Sequence, residues 1–238
     1  MSINNQSKQV FKPEYLNNCG LNIQSVFNIK DLPVHSLDAL DQYNSNTHKF
    51  KQLILIGHLG QNLWQSLHKK TAYTEHPIDD HTVKSIDQYF NTYYAENCYE
   101  VIYPGDVVIG LQQLGIEAGW HNASPFKVGI NEQWGSWFAY RAVILTDTNF
   151  ETTDKINRKS PCPSCTSKIC ISSCPASALD NSEFNFDACI EYRKGSSSRC
   201  KNTCLARVSC PVGHEYKYSD EQINYHYCVS MKTIEALY

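Results

Sequence analysis

CPSCTSKICISSCP (162–175) and CIEYRKGSSSRCKNTCLARVSCP (189–211) hold eight of the chain's eleven cysteines, and each stretch ends on a Cys-Pro pair, Cys174-Pro175 and Cys210-Pro211. Two sets of four thiolates, each closed by a proline, are what a pair of [4Fe-4S] clusters requires. Each of the four irons of a cubane takes one cysteine sulfur, and a short stretch of backbone wraps three of them comfortably but not the fourth. The fourth ligand is therefore expected from the other run. On that rule Cys162, Cys165, Cys170 and Cys210 hold one cluster, and Cys174, Cys189, Cys200 and Cys204 hold the other. The exchange ties both runs into one electron-conducting module.

The spacing is looser than the usual C-x2-C-x2-C-x3-C-P, because Thr166 to Ile169 widen the second gap and the later run is more open still. Two other chemistries use cysteines in this way. Structural zinc takes Cys-x2-Cys pairs, yet it needs only four ligands per ion and gives no reason for the prolines. Disulfides call for an export signal, and Asn4-Asn5-Gln6-Ser7 belongs to an N-terminus without an apolar core segment. Clusters lead this comparison, with zinc and disulfides left open. Cys19, Cys98 and Cys228 are expected to be ordinary buried thiols.

A chain of 238 residues has room for one core-bearing domain of roughly 150 residues and a small cofactor-stapled one. The formal net charge of -3 and the lack of a basic stripe argue against a nucleic-acid partner. Charged residues make up 19%, below the typical value of about 25%, and Asn, Gln and Tyr supply the polar surface instead. No run reaches the roughly 18 apolar residues of a membrane span, so no membrane partner is expected. Thiolate-held clusters survive in a reducing compartment, which places the protein in the cytoplasm.

Three regions separate by pattern. Residues 1–48 are polar, broken by Pro13 and Pro33, with Val26-Phe27 and Leu37 to Leu40 as apolar stretches that could each form a short helix or an extended arm; they read as a cap. Residues 49–155 alternate strands and helices. Leu53-Ile54-Leu55-Ile56-Gly57 reads as a strand buried on both faces. Leu59, Leu63 and Leu67 then recur at helical spacing. A second helix carries Val83, Ile86, Phe90 and Tyr93, with Asp80 near its start. Tyr99 to Tyr103 reads as a strand, and Val107, Val108, Leu111 and Leu114 as a helix ended by Gly115. Phe138 to Thr146 is the last strand. The class is α/β (α+β), with both sheet faces covered, and residues 156–238 form the double-cluster module. Arg141, alone in an apolar strand, is either an edge residue or a rigid two-pronged anchor for a phosphate or carboxylate. His58, after the first buried strand, lies where a loop reaches the ligand side of a sheet. His76, Asp79, Asp80 and His81 are acid candidates only.

Leu114-Gly115, Ala118-Gly119, Ile130, Gly135-Ser136-Trp137-Phe138 and Ile144-Leu145-Thr146, followed by the double cysteine run with Asp187-Ala188-Cys189-Ile190 between its halves, resemble epoxyqueuosine reductase and its reductive dehalogenase relatives. The resemblance covers roughly the last half of the chain. Leu53 to Trp64, with its Ile56-Gly57-His58-Leu59-Gly60-Gln61-Asn62-Leu63-Trp64, and Gly135 to Arg141 are similar to the cobalamin-processing proteins of vitamin B12 trafficking. Both resemblances imply a nitroreductase-like domain that binds cobalamin, here followed by a bacterial-type two-[4Fe-4S] ferredoxin-like module. Residues implied for the corrin pocket are His58, Ile130, Trp134, Gly135, Ser136, Trp137, Phe138, Tyr140 and Arg141, within an aromatic-rich region that includes Trp120 and Phe126. An external electron donor such as flavodoxin or ferredoxin is implied as a partner.

The sequence departs from the reductase pattern at several points. Ser124-Pro125-Phe126 stands where the family has a glycine-lysine-asparagine stretch, the family's aspartate acid has no recognisable counterpart, and the family's C-terminal helical repeat is expected to be lacking. The expectation is therefore an oxidoreductase whose clusters reduce bound cobalamin, for reductive chemistry or for processing of the cofactor itself. An electron-transfer module without cobalamin and an epoxyqueuosine reductase are the alternatives. No residue is assigned as catalytic.

Overall fold

A computed structural model of the chain describes residues 8–33, 49–68, 74–106, 109–179 and 183–238. Packing separates the chain into two compact units, Met1–Gly119 with Phe138–Ile156, and Trp120–Trp137 with Asn157–Tyr238. Residues 120–137, which sequence pattern groups with the middle region, pack with the cysteine-bearing unit.

The first unit is built around Leu53, Ile54, Leu55 and Ile56, each at most 1% exposed. Four consecutive buried aliphatics require cover on both faces of a strand. They form the centre of β2 (Gln52–Leu59), flanked by β1 (Ile23–Asn28) and β4 (Phe138–Thr146), with β3 (Tyr99–Tyr103) beyond β4. Every pairing is antiparallel. The unit is thus mixed α/β around a small antiparallel sheet: α2 (Asn62–His68) packs on β2 and α3 (Pro77–Tyr93) on β4, α1 (Pro13–Asn18) packs on α3, and α4 (Leu111–Glu117) follows β3 in the chain.

Several elements differ from the sequence reading for physical reasons. Val26 and Phe27 take the extended form as part of β1, opposite Ile54 and Leu53; Leu37 to Leu40 lie outside the described residues. β2 runs on through Leu59, so only Leu63 and Leu67 are helical. α3 begins at Pro77, whose fixed φ suits the first helical position, and Asp79 and Asp80 sit in its first turn at the positive end of the helix dipole. Val107 and Val108 lie outside the described residues. Gly115 does not end α4: it lies inside the helix because a Cβ there would collide with the Tyr140 ring. The helix stops at Gly119, which takes φ +76° and donates to the Ile116 carbonyl at 3.1 Å. The N-terminal segment is fastened to α3 and the turn after it by hydroxyls: Lys12 N–H donates to Tyr89 Oη (3.2 Å) and Tyr94 Oη donates to Val10 O (2.6 Å).

Among its described residues the second unit carries the α-helices α5 (Ile169–Ser172), α6 (Phe186–Lys194), α7 (Leu205–Val208) and α8 (Asp220–Leu237). Asn185 caps α6 by accepting from Ala188 N (3.0 Å), and Ser219 caps α8 by accepting from Gln222 N (3.1 Å). The inner stripe of α8 is divided. Ile223 packs with Trp137 and Tyr218, while Met231 and Ile234 pack on Ile190 of α6. Among the described residues no helix is long and apolar enough to cross a membrane.

Candidate metal centre

The one-turn helices α5 and α7 organise the thiols. Cys170 lies in α5 and Cys174 directly follows it; Cys204 caps α7 and Cys210 directly follows it. The two exits are alike: Cys174 N donates to Ile171 O (3.1 Å) and Cys210 N to Arg207 O (3.2 Å). Phe126, Leu179 and Ala206 form an apolar nucleus around Cys170, with Cys174, Cys204 and Cys210 packed against it. A four-residue helix is too short to stand alone. It is held here by this shared nucleus.

Cys162, Cys165, Cys170 and Cys210 line one cavity, walled by Pro125, Phe126, Ile130, Pro161, Ile169, Pro211 and Val212, with Lys168 at its edge. The wall is almost wholly apolar. Burial pushes the Cys162 thiol up, and the neighbouring Cys210, Cys170 and Cys165 push in the same direction. Burial and then Cys210 raise Cys170, and burial raises Cys210. Cys165 moves the other way, lowered by hydrogen bonds from the Lys168 backbone and from Ser167. The second foursome is also close-set. Burial raises Cys189 to about 11, with further contributions from Cys204, Cys174 and Cys200 and an opposing one from Arg193. Cys204 is raised by burial and accepts from the Arg207 backbone N–H and the Tyr227 phenol. All eleven cysteines are free thiols.

Among the described residues no three His, Cys, Asp or Glu side chains converge as they would on a single metal ion. A cubane spreads its ligands more widely, since each thiolate meets a different iron at a different corner. An all-thiol donor set in a dry apolar wall suits that group by its chemistry.

Residues 122–135 supply much of the wall, and Gly135 and Gly213 explain how. Gly135 (φ +59°) and Gly213 (φ +66°) lie backbone against backbone: a Cβ on Gly135 would strike Val212 O, and one on Gly213 would strike Trp134 C and Gly135 N. This contact holds the 131–135 bridge against the segment that follows Cys210-Pro211. Sequence spacing gave no sign of it, because the two glycines are far apart in the chain.

The residues implied for a corrin pocket are placed as follows. Ile130 (1% exposed), Trp134 (4%), Ser136 (1%) and Trp137 (1%) are buried in the second unit. Ile130 faces the thiol cavity, Ser136 accepts from Arg207, and Trp137 packs on Tyr218. His58 and Phe138 are buried in the first unit. Tyr140 and Arg141 keep part of their surface. Arg141 occupies a bulge: Ile56 pairs with Ala142 and Gly57 with Tyr140, leaving no residue opposite it. Such bulges re-aim a side chain, and here Arg141 Nε donates to His58 Nδ1 at 2.9 Å. Both Arg141 and Asp79 act on the Tyr103 phenol, which is raised chiefly by burial. His81 is buried and its Nε2 meets Cys19 O at 2.8 Å. The three leftover cysteines are not buried: Cys98 is exposed, and Cys19 and Cys228 are half-buried.

No family profile and no curated protein matches the chain. Solved structures do. The chain is similar to an epoxyqueuosine reductase crystallised with an epoxyqueuosine-modified tRNA-Tyr stem loop, with TM-score 0.53 and 16% identity over 89% of this chain and 66% of that one. It is similar to the epoxyqueuosine reductase of Bacillus subtilis, with TM-score 0.52 and 14% identity over 87% and 65%. That of Streptococcus thermophilus gives 0.50 and 13% over 84% and 65%. At these identities the likeness is one of fold, and the chain spans just under two thirds of the length of these proteins. The resemblance of Leu53–Trp64 to cobalamin-processing proteins draws no support from them.

Proposed function

We propose that the chain is an iron–sulfur oxidoreductase of the epoxyqueuosine-reductase kind. The observation that carries this reading is the gathering of eight thiols into two foursomes, Cys162, Cys165, Cys170 and Cys210 in one apolar cavity and Cys189 with Cys204, Cys174 and Cys200 beside it in charge interaction. When bound, [4Fe-4S] clusters supply electrons one at a time. The chain's own part is to hold them dry, through Phe126, Ile130 and Val212, and to release thiol protons as the metal enters. A flavodoxin or ferredoxin would be the external donor.

For substrate, the epoxyqueuosine reading is favoured over processing of a cofactor, since the solved structures named above are epoxyqueuosine reductases and one of them holds a tRNA stem loop. A tRNA stem loop therefore enters as a partner. The opposite expectation rested on net charge and the lack of a basic stripe, which report long-range attraction and not the shape of a site. Anaerobic reconstitution should give about eight iron and about eight sulfide per chain, and the reduced protein should convert an epoxyqueuosine-bearing stem loop. Zinc without sulfide would overturn the cluster reading; loaded clusters without turnover would overturn the substrate.

Cobalamin as the acceptor rests on resemblance. Most of the implied pocket residues are spent on packing, and Tyr140 and Arg141 are the ones with surface to offer. Arg141, braced by His58, would steady an amide or phosphate of the corrin edge. Titration with hydroxocobalamin should then shift the cobalt absorption bands, with weaker binding in Arg141→Ala. Bands that stay those of the free cofactor at protein excess would remove cobalamin from the reading and leave the clusters in it.

A further inference from the structure

Two arginines are buried beside the second foursome of thiols. Arg193 of α6 is 8% exposed. Its guanidinium donates to Cys200 O (3.1 Å), Ser230 Oγ (3.0 Å), Tyr227 O (3.3 Å) and Lys201 O (3.5 Å). Arg207 of α7 is also 8% exposed. It donates to Ser136 Oγ (3.2 Å) and Ser136 O (2.6 Å), and lies over the rings of Trp137 (4.7 Å) and Tyr218 (5.3 Å). Tyr227 joins them: its ring faces Arg193 at 5.4 Å, and its phenol is hydrogen-bonded to Arg207 and to Cys204.

Every one of these partners is neutral. Among the described residues neither guanidinium meets a carboxylate. Burying a cation without a counter-ion is strongly unfavourable, so a fold that keeps two of them has a negative group to set against them. The groups at hand are thiols: Arg193 Nε donates to the carbonyl of Cys200 itself, and Arg207 lies in the one-turn helix that Cys204 caps. The first foursome differs. Its neighbouring cation is Lys168, which is exposed, and water screens an exposed charge.

We infer that Arg193 and Arg207, linked through Tyr227, are the built-in counter-charge of a cluster held by Cys174, Cys189, Cys200 and Cys204, and that they make it the more easily reduced of the two. The inference rests on the iron–sulfur reading above. Reduction adds one electron from the reductant to a cluster, with no bond broken and no proton taken up, so it adds one negative charge. Buried positive charge and hydrogen bonds to the ligand sulfurs stabilise that charge and raise the potential.

The test is a stepwise reductive titration of the reconstituted full chain with dithionite, followed by EPR against potential. The Cys210→Ala variant, which keeps only the second cluster, identifies that cluster's signal. In the unaltered protein the second cluster's signal should rise first. Arg193→Gln and Arg207→Gln should each lower its midpoint by at least a tenfold change in the reduction equilibrium, about 59 mV for a one-electron couple, and leave the first cluster's midpoint in place. Arg207→Lys, which keeps the charge, should recover part of the shift. Should a glutamine variant fail to hold the second cluster, the order of reduction in the unaltered protein decides. Two loaded clusters with equal midpoints, or the first reduced before the second, would overturn the inference and leave the iron–sulfur reading standing. A protein that takes up no iron and sulfide would overturn that reading instead.

Discussion

Cys210→Ala should strip the cluster of Cys162, Cys165 and Cys170 while sparing the other, so that iron per chain falls from about eight atoms to about four. Cys210 lies in the later cysteine run, yet its side chain lines the same cavity as Cys162, Cys165 and Cys170, and of the neighbouring thiols it is the one that acts most strongly on Cys162 and on Cys170. Removing it leaves three thiolates in an apolar wall that offers no oxygen or nitrogen ligand among its lining residues other than Lys168. A cation cannot replace a thiolate. Cys174→Ala should do the reverse and spare the first cluster. The two variants are compared by iron content and by EPR, where the remaining signal should differ between them. If both variants lose the same signal, or if each loses the cluster of its own cysteine run, ligand exchange between the runs is wrong.

Gly213→Ala should destabilise the cysteine-bearing unit by about 3 kcal/mol or more, at or above the upper end of what overpacking usually costs. Two penalties act together. The residue holds φ +66°, a conformation that L side chains rarely adopt, and the added methyl would overlap the backbone of Trp134 and Gly135. Flexible side chains can move aside, but this neighbour is main chain held by the reciprocal Asn131–Gly135 hydrogen bonds, 2.9 Å each. Relief therefore requires the 131–135 bridge to leave the segment after Cys210-Pro211, opening the cavity wall at Val212. Denaturant unfolding and iron retention should fall together. Gly195→Ala serves as the comparison: Gly195 has φ -56° and a Cβ there would approach Tyr192 O to 3.2 Å, a squeeze far milder than the overlap at Gly213, so its cost should be much smaller. Equal behaviour of the two variants would remove the glycine contact from the account.

Local signals were legible where the chemistry is local. Strand β3 (Tyr99–Tyr103) and strand β4 (Phe138–Thr146) follow from apolar runs ended by breakers or by polar residues, and β2 from four aliphatics in a row. Gly115 misled because a glycine near the end of an apolar pattern reads as a helix stop, whereas here it makes room for Tyr140 of strand β4. The aromatic density around Trp120 to Tyr140 suggested a ligand pocket. Trp120 and Trp137 are fully buried, and composition alone does not distinguish a core from a cavity lining.

The cysteine positions, the Cys-Pro ends and the buried β2 run were determined by the sequence by itself, since thiol chemistry, proline geometry and aliphatic burial are properties of residues and their immediate neighbours. Tertiary structure alone decided that Phe126 and Ile130 wall the first thiol cavity, that Gly135 and Gly213 press backbone on backbone, and that Arg193 and Arg207 are buried with neutral partners beside the second foursome. Burial, close approach and uncompensated charge depend on which distant segments meet, and a one-dimensional pattern does not carry that information.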